Sequence, residues 1–100
     1  MFYNIELKDQ AKKDIFELTD YIFRFSFSKD ISDKIYDEIY KKIFSLEFFP
    51  EKFQKVLGDY RVALVKKTYR IFYRIEEENK KVIIIRIIRT DQNIEEILFD

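Results

Sequence analysis

Apolar and polar positions along the chain follow a period of two, then of three to four, then of two again. Phe2–Leu7 alternates Tyr3, Ile5 and Leu7 with Phe2, Asn4 and Glu6, which predicts a short first strand. Asp9 then offers an N-cap. Ala11, Ile15, Leu18, Ile22 and Phe25 recur every three or four residues, which puts one apolar stripe on a helix that frays near Phe25–Phe27. Ser28 or Asp30 caps a second helix with a stripe of Ile31, Ile35, Ile39, Ile43 and Leu46, widened by Tyr36, Tyr40 and Phe44. Pro50 ends it, because proline disfavours helical geometry in the residue before it. So short a break between two long helices predicts an antiparallel hairpin.

Glu51–Asp59 reads as a loop around Gly58, the only glycine. Three β-branched and aromatic runs follow: Tyr60–Lys66, Tyr69–Ile75 and Lys81–Arg89, separated by Lys67-Thr68 and by the acidic turn Glu76–Lys80. Short connections predict an antiparallel meander. Thr90–Asn93 reads as a polar turn, and Ile94–Phe99 as either a short helix or an edge extension. The expected order is β-α-α-β-β-β, an α+β layer with the helical hairpin packed on one face of a mostly antiparallel sheet.

Strand alternation sorts the side chains of the meander. Tyr69, Ile71, Tyr73 and Ile75 oppose Arg70, Phe72 and Arg74. Tyr60, Val62 and Leu64 oppose Arg61, Ala63 and Val65. Ile83, Ile85 and Ile87 oppose Val82, Ile84, Arg86 and Ile88. If the apolar sets face the core, then Arg61, Arg70, Phe72, Arg74 and Arg86 share the outer face and are the candidate binding residues. From Tyr60 to Arg89 nine Lys or Arg outweigh three Glu, so the stretch carries +6 in a chain that sums to zero. A cationic sheet face suits an anionic partner, a nucleic acid or an acidic peptide.

Composition narrows the chemistry. One hundred residues suit one domain. The absence of cysteine removes disulfides and thiolate metal sites, and fits a reducing compartment. The absence of histidine removes a Ser-His-Asp triad, a His-containing zinc site and an imidazole base. No glycine-rich phosphate loop, signal segment or membrane-length apolar run is present. The expectation is a cytoplasmic protein with no metal, no small-molecule cofactor and no membrane partner. Tyr21, Phe23, Phe25, Phe27, Tyr36, Tyr40, Phe44, Phe48, Phe49 and Phe53 exceed what one stripe per helix can bury. They predict a thick aromatic core between hairpin and sheet, or else an apolar surface that a partner covers.

Several of these pieces, taken in order, resemble the RelE/ParE superfamily of bacterial toxins from type II toxin–antitoxin modules. They are Ala11-Lys12-Lys13-Asp14-Ile15, Tyr21-Ile22, the Ile39…Ile43…Leu46…Pro50 close, Tyr69-Arg70-Ile71-Phe72-Tyr73-Arg74-Ile75, and Ile87-Ile88-Arg89-Thr90-Asp91-Gln92-Asn93. The long hairpin looks more like the ParE branch. The resemblance implies growth inhibition and plasmid stabilisation, with a cognate antitoxin that folds across the toxin as a helix or added strand. ParE-like members inhibit DNA gyrase. RelE-like members cleave mRNA in the ribosome, and that alternative would use Arg70, with Arg61 and Arg89, as catalytic residues at the scissile phosphate. Ala63 and Val65 depart from the basic residues of that branch, as do Phe99 from its tyrosine and the missing histidine. A binding module without toxicity is the third reading.

Overall fold

The computed structural model describes residues 2–92. Its elements are β1 (Asn4–Leu7), α1 (Asp9–Ser26), α2 (Lys29–Ser45), a 3₁₀ turn (Pro50–Lys52), β2 (Lys55–Leu57), β3 (Tyr60–Val65), β4 (Tyr69–Glu76) and β5 (Lys81–Arg89). The α+β layering is as expected, with one addition: part of the Glu51–Asp59 loop pairs with β3 as β2. The sheet order is β1-β5-β4-β3-β2, antiparallel except where β1 runs parallel to β5. The hairpin supplies the crossover that a parallel pair requires. Ile94–Phe99 lies outside the described residues.

Local chemistry sets the helix ends. Lys8, not Asp9, is the N-cap of α1, and Asp9 instead places its charge in the first turn, where the helix dipole favours an anion. Phe27 closes α1 in the left-handed region with φ 54°, and its N–H donates to the Phe23 carbonyl. Ser28 caps α2, its hydroxyl accepting from the Ile31 N–H at 3.2 Å. The helix stops at Ser45, ahead of Pro50, because the N–H groups of Leu46 and Glu47 reach back three residues and tighten the last turn. The Ser32 hydroxyl donates to the Thr19 carbonyl at 2.7 Å, so small residues bring the two helices together.

Ala11 and Ile15 of α1, Ile39, Ile43 and Leu46 at the end of α2, and Ala63, Val65, Ile71, Tyr73, Val82, Ile84 and Ile87 of the sheet form the core. Burial then falls along both helical stripes toward their junction. Leu18, Ile22 and Ile35 are half-buried, while Phe25 and Ile31 are exposed. The closed end of the hairpin therefore overhangs the sheet. Tyr21, Phe23, Phe27, Tyr36, Phe44, Phe48 and Phe49 are exposed as well. The thick aromatic core does not form, because the sheet lies under only the open half of the hairpin. Tyr40 and Phe53 alone among the ten aromatics pack against the core. Among the described residues, no helix is long and apolar enough to cross a membrane.

The sheet faces are not the ones that simple alternation gives. Phe72 pairs with Arg86 but Tyr73 pairs with Ile84, so Ile85 is an extra residue and β5 bulges there. Val82, Ile84 and Ile87 consequently share the helix side with Ile71 and Tyr73, while Ile83 and Ile88 turn to the far side. In β3 it is Ala63 and Val65 that are buried, and Leu64 that is exposed. Arg61 lies with them on the helix side, opposite Tyr73 by register. Arg70 and Arg74 lie on the far side. Phe72 shares that side but is fully buried, which removes it from the exposed binding residues. A single cationic outer face bearing Arg61, Arg70, Phe72, Arg74 and Arg86 does not exist.

Candidate functional site

A groove of about 290 Å³ runs between α1 and the last turn of β5, lined by Asp14, Glu17, Leu18 and Tyr21 on one wall and by Arg86 to Arg89 and Gln92 on the other. It exists because β1 covers β5 only as far as Ile84. Beyond that point no strand among the described residues covers β5, and α1 lies beside it. The wall from α1 is amphipathic: Asp14, Leu18, Tyr21 and Phe25 recur every three or four residues, and the Tyr21 and Phe25 rings are 4.4 Å apart.

Asp14 fixes the two walls to each other. Its carboxylate is buried and accepts from Arg86 Nε at 2.7 Å and from a second guanidinium nitrogen at 3.0 Å. It also accepts from the Ile87 backbone N–H at 3.0 Å and from the Gln10 amide at 3.0 Å. By its pairing with Phe72, Arg86 belongs to the far side of the sheet, and its guanidinium meets Asp14, whose carboxylate also takes the Ile87 N–H where the next strand's carbonyl would otherwise be. Arg86 is thus held by an internal carboxylate and is not offered to an outside anion. The sequence signal for Asp14 was its position: three residues after Ala11 and beside Ile15, it is an acid on the buried face of α1.

The other predicted residues separate. Arg89 lines the groove with its guanidinium 3.5 Å from Asp91. Arg70 donates one nitrogen to the Arg89 and Gln92 carbonyls at 3.2 and 2.6 Å, and so clamps the turn that follows β5. Its Nε is buried without a hydrogen-bond partner, and the guanidinium lies 5.6 Å from the Phe72 ring centre. Arg61 is at the opposite end of the other face. It donates to the Glu51 and Phe53 carbonyls at 3.1 and 2.7 Å, which holds the 3₁₀ turn. Arg74 stays on the far face, level with Ile83. The groove therefore gathers Arg86 and Arg89, with Arg70 bracing their turn. It leaves out Arg61 and Arg74.

Near-balanced charge follows: Asp14 and Glu17 against Arg86 and Arg89. The only strongly shifted phenol of the core is elsewhere. Tyr73 is pushed up to about 12 chiefly by burial, with the Arg61 charge opposing and Glu51 adding to the rise. Its hydroxyl donates to the Pro50 carbonyl at 2.5 Å. It keeps its proton and serves as an anchor. No group of three or more carboxylates among the described residues could hold a metal ion. The groove can receive an amphipathic segment that offers apolar side chains to Leu18 and Tyr21 and charges of both signs to its rim.

Comparisons with known proteins bear on the fold as a whole. The family model for the ParE toxin of type II toxin–antitoxin systems matches residues 5–94. A structure of a chromosomal ParDE toxin–antitoxin system from P. aeruginosa is similar in fold, with a TM-score of 0.77 at 14% identity over 90% of this chain and 98% of that one. The toxin–antitoxin complex RelBE2 from Mycobacterium tuberculosis is similar with a TM-score of 0.63 at 21% identity, covering 92% of this chain and 95% of that one. The archaeal RelE–RelB complex from Pyrococcus horikoshii gives 0.58 at 20% identity, covering 93% and 100%. No curated protein matches the chain in sequence.

Proposed function

The chain belongs to the ParE toxin family of type II toxin–antitoxin systems, and from that premise we propose that it arrests growth by binding DNA gyrase rather than by cutting RNA. The observation that carries this reading is the separation of the arginines. A ribonuclease that lacks histidine would need several guanidinium groups converging on one phosphate. Here Arg61 and Arg70 leave opposite faces of the sheet, and each has one guanidinium nitrogen held by two backbone carbonyls. Arg86 is bound to Asp14. What the molecule offers instead is apolar surface: the groove beside α1 and the aromatic overhang of the hairpin, both suited to a protein partner.

An antitoxin is the second partner. Two of the similar structures are toxin–antitoxin complexes. The groove between α1 and β5 matches an amphipathic antitoxin segment that folds as it docks. With the antitoxin bound, the toxin is silent.

Purified toxin added to gyrase and relaxed plasmid tests the target. Supercoiling should fall with toxin concentration and recover on adding antitoxin, while primer extension on mRNA from toxin-expressing cells shows no new ends. New mRNA ends together with undisturbed supercoiling would move the protein to the RelE-like reading and would restore Arg70, Arg61 and Arg89 as candidates for catalysis. Normal growth on expression without antitoxin would leave only the binding-module reading.

A further inference from the structure

The hairpin has a face that neither the sheet nor the α1–β5 groove uses. The Ser32 hydroxyl reaches the Thr19 carbonyl, which sets α1 and α2 level at those two small residues. Helical spacing then puts Phe16, Asp20 and Phe23 of α1, and Lys29, Asp33 and Tyr36 of α2, on the side turned away from the sheet. A groove of about 290 Å³ runs between them. It is lined by Thr19 and Ser32 where the helices touch, and by Phe16 and Phe23 on either side of that point along α1. Phe16 is 70% exposed, Phe23 47% and Tyr36 44%, and Phe27, just past the end of α1, is 89% exposed. At roughly 200 Å² for an aromatic side chain, these four rings leave about 500 Å² of apolar surface open to water. Patches of that size mark interaction surfaces.

The patch fits a copy of itself. A two-fold interface needs knob and hole, and both signs of charge, on one surface. Here the rings are the knobs, and the dip at Thr19 and Ser32 is the hole. Lys29 and Asp33 are of opposite sign, and neither forms an ion pair among the described residues. A two-fold axis lying across the hairpin at the level of Thr19 and Ser32 stacks α1 on α1 and α2 on α2, each antiparallel to its copy. Phe16 and Phe23 flank that level on α1, so each Phe16 meets the other copy's Phe23. Lys29 and Asp33 flank it on α2, so each Lys29 meets the other copy's Asp33. One axis serves both helices, and it also brings Tyr36 toward the other copy's Phe27. Asp20 lies near the axis but keeps Arg24 as its counter-ion at 2.9 Å.

We propose that two copies of the toxin associate through the outer faces of their hairpins, as two antiparallel helix pairs packed face to face. The four rings of each copy bury about 1,000 Å² in total, close to the ~1,200 Å² at which stable interfaces begin, and Thr19, Lys29, Ser32 and Asp33 add the remainder. An anionic membrane would meet Asp20 and Asp33 as like charges. A partner of one charge sign would leave either Lys29 or Asp33 facing its like. The association leaves the α1–β5 groove open in both copies, so it rests neither on the gyrase reading nor on where the antitoxin docks.

Sedimentation equilibrium of the full-length toxin over a concentration series tests the proposal. The mass should rise from one chain to two. Phe16→Glu together with Phe23→Glu should weaken self-association at least tenfold, with the circular dichroism spectrum unchanged. Lys29→Asp alone and Asp33→Lys alone should each weaken it at least threefold, and the two together should restore it, which a merely structural role of either residue would not do. The chain has no cysteine, so Asp20→Cys gives one reactive handle beside the axis. A short bismaleimide should join two copies through it, and should not do so through Lys55→Cys on the sheet border. Tyr21→Ala in the other groove should leave the mass unchanged. A monomer at every concentration, a dimer indifferent to the Phe16 and Phe23 changes, or no recovery in the charge swap would overturn the proposal.

Discussion

Asp14→Ala is expected to cost about 3–4 kcal/mol of folding stability, more than any other single change at the surface of the groove. Asp14 is only 8% exposed and accepts four hydrogen bonds, three of which join α1 to β5. Removing one partner of a buried ion pair costs roughly 3–5 kcal/mol, because the remaining charge stays desolvated. The Arg86 side chain retains 23% exposure, so the lower end of that range applies. An orphaned Ile87 N–H adds about 1 kcal/mol or more. With a urea slope near 1.5 kcal/mol per molar, suited to a chain of this size, the midpoint followed by circular dichroism should fall by roughly 2 M. Asp14→Asn keeps an acceptor for the N–H and loses only the charge, so it should cost about half as much. Amide exchange should show Ile87 losing its protection in the alanine variant and largely keeping it in the asparagine variant. The reasoning fails if Asp14→Ala moves the midpoint by less than about 0.5 M, or if both variants lose the same amount.

Three further outcomes follow from the same geometry. Phe72→Ala should cost about 3–5 kcal/mol in urea unfolding despite its place between two arginines, and a loss below about 1 kcal/mol would return Phe72 to the surface. Arg61→Ala should speed amide exchange in residues 51–53 and cost about 1–3 kcal/mol, because one guanidinium nitrogen bridges the Glu51 and Phe53 carbonyls; unchanged exchange there would contradict this role. Tyr73 ionises only at about 12, against 10.0 for a free phenol. Between those values the unfolded chain has released the proton that the folded chain keeps, so stability should decline as pH rises through this window. Phenolate absorbance should show one tyrosine titrating later than the rest, and Tyr73→Phe should remove it and lessen the alkaline loss of stability.

The elements were legible because their causes are local. The stripes Ala11–Ile15–Leu18–Ile22 and Ile35–Ile39–Ile43 specify helices wherever they pack, and the β-branched runs from Tyr60 to Arg89 specify strands. The short β2 escaped notice because three residues, Lys55–Leu57, carry too little periodicity to read. The layered order, and with it the likeness to toxin families, followed from these local patterns.

The site was decided elsewhere. Which face an arginine leaves by depends on what covers each side of the sheet and on the pairing register, and one extra residue reverses every side chain beyond it. Ile85 is that residue: the bulge brings Ile87 to the helix side and sets Arg86 level with Phe72 on the far side, while in β3 the helix side takes Ala63 and Val65 in preference to Leu64. Ion pairing between residues 72 positions apart, as in Asp14 and Arg86, leaves no periodic trace in a sequence. Periodicity therefore fixed how each segment folds, while the contacts between segments determined which charges stay free to meet a partner.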